Sequence, residues 1–114
     1  MRMLARLLFA GAFAISACGI ASAQTVGDPA NGLLLSQRLC GDCHAVEVSA
    51  DQSPKSKAPT FAKIADTPGM TGMALSAWLH SSHRTMPLVR LDTRTREDIS
   101  AYILSLKPSS AQSG

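Results

Sequence analysis

The sequence lacks any apolar stretch long enough to cross a bilayer, and it also lacks internal repeats and strand-like alternation. Its longest apolar-rich run covers residues 7–17, whereas a membrane-spanning helix needs about 20 such residues. No segment alternates apolar and polar residues in the way that a half-buried strand does. These absences argue against a membrane span and a β-fold, and they predict an all-α protein.

The short apolar run at the N-terminus has a different explanation. Arg2 and Arg6 precede it, and the small-x-small sequence ASA follows at residues 21–23, which is the pattern of a secretory signal peptide. We therefore expect residues 1–23 to be removed on export to a bacterial periplasm. Cleavage before Cys18 remains an alternative to cleavage after residue 23, because ISAC at residues 15–18 resembles a lipobox. In that case Cys18 becomes a lipidated N-terminus at a membrane.

A strong net charge is missing as well. Cleavage takes Arg2 and Arg6 away, so the Lys+Arg count falls from 11 to 9 against 8 acidic residues. A formal charge of +1 gives no support to nucleic-acid binding. The remaining 91 of the 114 residues are enough for one small domain, which we place at 24–107, followed by a flexible tail at 108–114. A domain of this size is marginally stable alone.

Cysteine is scarce, and its placement is informative. Cys18 leaves with the signal, and the other two cysteines stand in the run CGDCH at residues 40–44. Two thiols one helical turn apart, followed directly by His, are the attachment signature of a c-type haem. In this interpretation Cys40 and Cys43 form thioethers with the haem vinyl groups, and His44 is the proximal iron ligand. The haem then supplies an apolar centre that stabilises a small domain.

Other uses of the cysteine pair stay open from the residues alone. An exported protein can form a disulfide from such a pair. A thioredoxin-like motif needs a preceding strand, which the sequence lacks. A zinc site would use Cys40, Cys43, His80 and His83, although the His-x-x-His half is one residue shorter than the common finger spacing.

Met86 is the best candidate for the second axial ligand. It stands in an irregular segment, 81–92, beside Pro87, which stiffens the backbone. Its soft, neutral sulfur raises the reduction potential relative to a second imidazole. His80 and His83 are the alternatives, and either would lower that potential.

Capping and periodicity predict four helices. Asp28 and Pro29 have the types preferred at an N-cap and at the first helical position. Thr93 or Thr95 is the predicted N-cap of the last helix, with acidic residues 97–98 in its first turn. The predicted helices cover residues 29–39, a short stretch after Pro59 that ends at about 65, residues 70–80, and a last stretch from its threonine cap to about 107.

Apolar spacing predicts which helix faces are buried. On the last helix the spacing i, i+3, i+4, i+7 selects Ile99, Tyr102, Ile103 and Leu106. On the third helix it selects Met70, Met73, Ala74, Ala77 and Trp78, as core or as pocket wall. This spacing makes Met70 and Met73 weaker ligand candidates than Met86. Gly32 in the first helix is either a weak spot or a close crossing with another helix.

With these motifs in place, the chain resembles the class I c-type cytochromes, which are small monohaem bacterial proteins with His/Met ligation. The resemblance covers residues 28–107: CGDCH matches the attachment motif, and TMP at 85–87 is similar to the distal-methionine loop. It implies an all-α cytochrome c fold of about four short helices around one covalently attached haem.

The same resemblance adds roles for individual residues. It implies that Gly32 lies where the C-terminal helix crosses the first helix, and that the Pro59 carbonyl accepts a hydrogen bond from His44. Such a bond would fix the orientation of the ligand. Ser36 stands where many members of the family carry a larger apolar residue.

The resemblance implies a one-electron carrier rather than an enzyme, with iron alternating between Fe2+ and Fe3+ and with redox proteins as partners. A haem enzyme or gas sensor with an open distal site, and a cytochrome subunit of a dehydrogenase complex, remain alternatives. We expect a monomer. Four arginines make the distal segment locally basic, so it either binds an acidic partner or is an ordinary solvated surface; they are Arg84, Arg90, Arg94 and Arg96.

Overall fold

The computed structural model describes residues 26–81, 83, 85–87 and 89–109 of the chain. All regular structure in these residues is helical, which confirms the all-α prediction. The elements are α1 (Pro29–Leu39), α2 (Phe61–Ala65), α3 (Gly72–His80) and α4 (Thr93–Ser105). Within the same ranges no helix is both long and apolar enough to cross a membrane. The predicted signal peptide, Cys18 and the end of the predicted tail lie outside the described residues.

Helix α1 begins where its capping residues predict. The Asp28 carboxylate accepts a hydrogen bond from the Ala30 N–H at 2.9 Å, and Pro29 occupies the first turn, where its missing N–H costs nothing. The helix ends at Cys40, whose N–H donates to the Ser36 carbonyl. The helix therefore places the first cysteine of the CGDCH run directly at its C-terminus.

Helix α1 packs across α4, and the crossing is very close. A Cβ atom on Gly32 would collide with the backbone carbonyl of Asp98 and with the Cβ of Tyr102. The Asp98 carboxylate accepts hydrogen bonds from the Asp28 N–H and from the Asn31 side-chain amide, both at 2.7 Å. The predicted close crossing at Gly32 is confirmed, and only glycine allows it.

The core is built on α4. Ile99, Tyr102 and Ile103 are buried, and Leu106 packs against them partly buried, which confirms the predicted face. Their buried neighbours from the rest of the chain are Val46, Phe61, Ala65 and Leu75. Ser36 of α1 is fully buried, and in the described part of the chain its hydroxyl has no hydrogen-bond partner.

The start of α4 differs from the prediction. Its N-cap is Asp92 rather than Thr93 or Thr95, and the Asp92 carboxylate accepts from the Thr95 N–H at 2.9 Å and from the Thr95 hydroxyl at 3.0 Å. A carboxylate caps at least as well as a hydroxyl and here accepts both bonds. Glu97 and Asp98 consequently lie beyond the first turn, which carries no acidic residue.

Helix α3 also corrects the prediction. It begins at Gly72 after the N-cap Thr71, two residues later than predicted, and its buried residue is Leu75. Met73 of the predicted face is 85% exposed. Trp78 is 54% exposed but lines the cavity described below, which agrees with the pocket-wall alternative. Apolar residues surround most of this short helix, so the spacing does not single out the face that packs inward.

Candidate functional site

A cavity of about 720 Å³ lies beside the core, within the range of pockets that hold small organic cofactors. Its wall is mostly apolar and comes from the end of α1, from α2, α3 and α4, and from the segment between α3 and α4. The apolar side chains that line it include Leu39, Ile64, Met70, Leu75, Trp78, Leu79, Leu91 and Ile103.

Residues 40–44, which we call the attachment segment, form a turn that continues from α1. The N–H groups of Cys43 and His44 both donate to the Cys40 carbonyl, at 3.1 and 2.9 Å. Both cysteine side chains line the cavity, and neither is in a disulfide. The turn therefore presents two thiols and one imidazole to the same space.

The imidazole of His44 has a defined tautomer. Its Nδ1 lies 2.7 Å from the Pro59 carbonyl oxygen, in the contact that the family resemblance implies. A carbonyl only accepts, so Nδ1 carries the proton and Nε2 keeps its lone pair. The ring also packs on Phe61, with centroids 5.6 Å apart and planes tilted by 53°. The ring orientation of His44 is thus fixed, and its Nε2 has a lone pair that could bind a metal.

The backbone after the attachment segment is fastened at several points. The Lys55 N–H donates to the Cys43 carbonyl at 3.1 Å, and the Phe61 N–H donates to the Ala45 carbonyl at 2.9 Å. The Ala45 N–H in turn donates to the Ser53 hydroxyl at 3.0 Å. These bonds hold both ends of the polar loop 45–59, so the Pro59 carbonyl keeps its place beside His44.

A buried tyrosine ties the same segment to α4. The Tyr102 hydroxyl donates to the Val46 carbonyl at 2.6 Å, and its ring lies 6.4 Å from that of Phe61 between centroids. Buried tyrosines generally find such a partner for the hydroxyl. The chain directly after the attachment segment is therefore anchored to the helix that forms the core.

Within the part of the chain that the structure describes, the cysteine pair is not joined by the further ligands that a zinc site needs. Burial, with a smaller contribution from Cys43, raises the pKa of the Cys40 thiol to about 11. Among residues 26–81, 83, 85–87 and 89–109, no three His, Cys, Asp or Glu side chains form a group that could hold a metal ion. The zinc site considered from the sequence is therefore not assembled.

His83, Thr85, Met86 and Pro87, which we call the methionine turn, line another part of the cavity. The Met86 N–H donates to the His83 carbonyl at 3.1 Å, which closes the turn. Thr85 has a φ of +68°, a left-handed conformation that a β-branched residue rarely adopts.

The remaining ligand candidates differ in whether they line the cavity. His80 is exposed and is not part of the cavity wall, and neither is Met73. Met70 lines the cavity just before α3. Of the three histidines in the chain, the cavity thus brings together His44 and His83, along with Met86.

Comparison with known proteins adds an independent finding. No family model matches the chain, and no solved structure matches it. A curated protein, cytochrome c-552 of Bradyrhizobium diazoefficiens, is 32% identical over 87 residues, which cover 76% of this chain and 83% of that relative. The chain belongs to the c-type cytochromes. Its four-helix architecture is the predicted cytochrome c fold, and the protein is a haem-containing electron carrier.

The cavity of this c-type cytochrome fits a haem. It is large and apolar, as a porphyrin face requires. It contains two unpaired thiols at the end of one helix, and a His whose Nδ1 is already engaged. The two thiols and the His are the donor groups that the CGDCH run predicts.

The four arginines of this cytochrome differ in their surroundings. Arg90 and Arg94 are exposed, and Arg84 lies outside the described residues. Arg96 is half-buried and donates to the Leu91 carbonyl at 2.7 Å. Arg96 therefore supports the backbone before α4 and is less available to a partner than Arg90 and Arg94.

Sequence reasoning missed part of the cavity wall of this cytochrome. Ile64, Leu79 and Leu91 line it, yet their apolar character was the only signal, and it does not distinguish a cofactor pocket from a core. The contact of Trp78 with His83, edge-to-face at 5.0 Å between ring centroids, was also not expected. It joins α3 to the methionine turn.

Proposed function

We propose that this c-type cytochrome carries single electrons with one haem, attached through Cys40 and Cys43 and ligated by His44 and Met86. The observation that supports it is the convergence of these four side chains on one apolar cavity. Haem c is the cofactor that uses all of these groups together: two unpaired thiols, an imidazole of fixed tautomer and a neutral sulfur.

Each residue of the proposed haem site has its own role. A bound haem supplies an iron that alternates between Fe2+ and Fe3+. Cys40 and Cys43 would hold the group covalently, each through a thioether to one of its vinyl groups. His44 would ligate the iron through Nε2, and the Pro59 carbonyl keeps that imidazole in orientation. Met86 would provide a soft ligand that favours the ferrous state and so raises the reduction potential.

The cavity favours electron transfer over catalysis, because His44 and Met86 both line it and together would leave the iron no open position. The apolar wall, with Leu75 and Ile103 on it, excludes water from the iron. The fastened attachment segment allows little movement when the charge on the iron changes. A carrier needs these properties, whereas an enzyme or gas sensor needs an open position on the metal.

We further propose that the protein works in a bacterial periplasm after loss of residues 1–23, and that it meets its redox partners as a monomer. The exposed Arg90 and Arg94 provide positive charge that would attract an acidic partner. Steered association of this kind slows as ionic strength rises. Electron-transfer rates that do not change with salt would remove the electrostatic part of this proposal.

Two measurements on the exported protein test the proposal. The intact mass is expected to equal that of residues 24–114 plus one haem, and acidified organic solvent should not extract that haem. The ferric spectrum is expected to show the charge-transfer band of a methionine–iron bond and to resist added cyanide. A high-spin spectrum that responds at once to cyanide would contradict His/Met ligation and favour a haem enzyme.

A further inference from the structure

The methionine turn contains two side chains that suit the same axial position. His83 and Met86 both line the cavity, and the Met86 N–H donates to the His83 carbonyl. One turn of backbone therefore carries both an imidazole and a thioether next to the space that the haem would fill. His80, only three residues before His83, is not part of that wall.

His83 is prepared as a ligand in the same way as His44. Its Nδ1 lies 3.2 Å from the Ser81 carbonyl oxygen, so Nδ1 carries the proton and Nε2 keeps its lone pair. The corresponding distance for His44 and Pro59 is 2.7 Å. In both cases a backbone carbonyl fixes the tautomer, which is the usual support of a metal-binding His.

The surroundings of His83 also restrict its ring. Trp78 meets it edge-to-face at 5.0 Å, with the ring planes at 84°, and Trp78 itself lines the cavity. Thr85, one of the two residues between the candidate ligands, has a left-handed backbone. A β-branched residue is strained there, so a change of backbone conformation at Thr85 would relieve strain.

We propose that His83 is a reserve axial ligand, which binds the haem iron whenever the sulfur of Met86 is not bound. The proposal rests on the haem site under Proposed function and adds a second state to it. The exchange is balanced: one Fe–S bond breaks and one Fe–Nε2 bond forms. No proton or electron is transferred, because Nδ1 already carries the proton.

Three holoprotein variants test the proposal: M86A, M86A/H83A and the matched control M86A/H80A. The covalent haem is retained without Met86, so all three can be compared in the ferric state at neutral pH. We expect M86A and M86A/H80A to be low-spin without the methionine band, and M86A/H83A to be high-spin. Identical spectra for M86A and M86A/H83A would overturn the proposal.

Azide binding gives a second readout that does not depend on electron-transfer activity. If His83 occupies the position nine-tenths of the time, the apparent Kd of M86A for azide is about tenfold weaker than that of M86A/H83A. M86A/H80A should bind azide as M86A does. Equal azide affinity with and without His83 would also overturn the proposal.

Low concentrations of urea test the exchange without removing Met86. In wild-type holoprotein and in H80A, loss of the methionine band should leave a low-spin spectrum, whereas H83A should become high-spin. The chain has three histidines, so these two variants cover every imidazole except His44. A wild-type protein that lacks the methionine band would contradict the proposed His/Met ligation. Identical urea behaviour of H83A and H80A would contradict only the reserve role of His83.

Discussion

The attachment segment and the methionine turn line one cavity but are held in different ways. Around the attachment segment, backbone and side-chain hydrogen bonds connect Cys43, His44 and Ala45 to the loop that follows. The described part of the methionine turn has one backbone bond within it, from Met86 to His83, and a strained Thr85, while Ser81 and Trp78 contact the His83 ring. Among the described residues, more hydrogen bonds thus hold the attachment segment than the methionine turn, which we call the adjustable side of the cavity.

This difference suits the chemistry expected on each side. A covalent attachment is made once and then has to keep its geometry, so stiffness is an advantage. An axial sulfur sets the reduction potential through a weak bond, and a turn with few restraints lets that bond lengthen or exchange. In the proposed haem site, the residues that keep the attachment geometry and the residue that tunes the reduction potential therefore lie in separate parts of the chain.

Removing the two thiols should have the largest effect. We expect C40A/C43A to contain no covalent haem at all, because the one other cysteine in the sequence, Cys18, lies in the predicted signal peptide. In M86A the same attachment should be complete. Intact mass and haem staining of denatured protein measure the difference. Covalent haem in C40A/C43A, or its absence from M86A, would contradict the division between the two sides.

The next largest effect, on the free energy of unfolding, is expected at the crossing of α1 and α4. In G32A the new Cβ meets the Asp98 carbonyl and Tyr102, so overpacking should lower the free energy of unfolding by about 3 kcal/mol. G72A is the matched control, because its Cβ would meet only Leu104 at 3.7 Å. Urea unfolding of the two holoproteins measures the contrast. Equal losses in G32A and G72A would show that the crossing is not tight.

The buried carboxylate of Asp98 makes the same crossing sensitive to pH. Hydrogen bonds from the Asp28 N–H and then from the Asn31 amide hold the pKa of Asp98 below its ordinary value. Its stabilisation is therefore complete above the ordinary carboxyl pKa of about 4 and is lost as pH falls through the lower folded-state pKa.

The D98N variant tests this dependence. The amide that replaces the carboxylate keeps one acceptor oxygen but cannot ionise, so we expect a loss of about 1–2 kcal/mol at pH 7 and a weaker fall in stability towards pH 3. D92N, at the exposed N-cap of α4, is the control for loss of a carboxylate on the same helix. Parallel pH profiles of wild type and D98N would argue against this role of Asp98.

Thr85 should give the smallest effect, on the adjustable side. Glycine accepts a φ of +68° without steric cost, so T85G should relieve about 1 kcal/mol of strain. We expect the methionine band to persist to higher urea concentrations than in wild type. T71G, at the N-cap of α3, serves as the control, because it introduces a glycine where no strain is relieved. Earlier loss of the band in T85G would contradict the strain argument.

The parts that the sequence predicts well are those determined within one helical turn or by one steric requirement. The Asp28 cap, the Pro29 start and the CGDCH run are local patterns. The crossing at Gly32 follows because the absence of a Cβ is valuable only where another backbone comes close. The buried face of α4 follows because Ile99, Tyr102 and Ile103 recur at helical spacing, whereas the burial of Asp98 and Ser100 on the same helix does not follow from that spacing.

The parts that the sequence does not predict depend on contacts between distant segments or on the choice between equivalent residues. Leu75 rather than Met73 is buried, because the cavity and α4 determine the orientation of α3. Asp92 rather than either threonine caps α4, although all three types suit an N-cap. The bond between His83 and Ser81 leaves no trace in the pattern of residue types, so the tautomer of His83 comes only from the structure.

The bond between the Asp28 N–H and Asp98 joins residues 70 positions apart. A chain that emerges from its N-terminus therefore displays α1 and the attachment segment long before α4 exists to close over them. Both thiols remain accessible during that interval, and the fold becomes complete only when its last helix arrives. Because this long-range bond cannot form before α4 exists, the proposed haem attachment would have time to occur on an open chain before the fold closes.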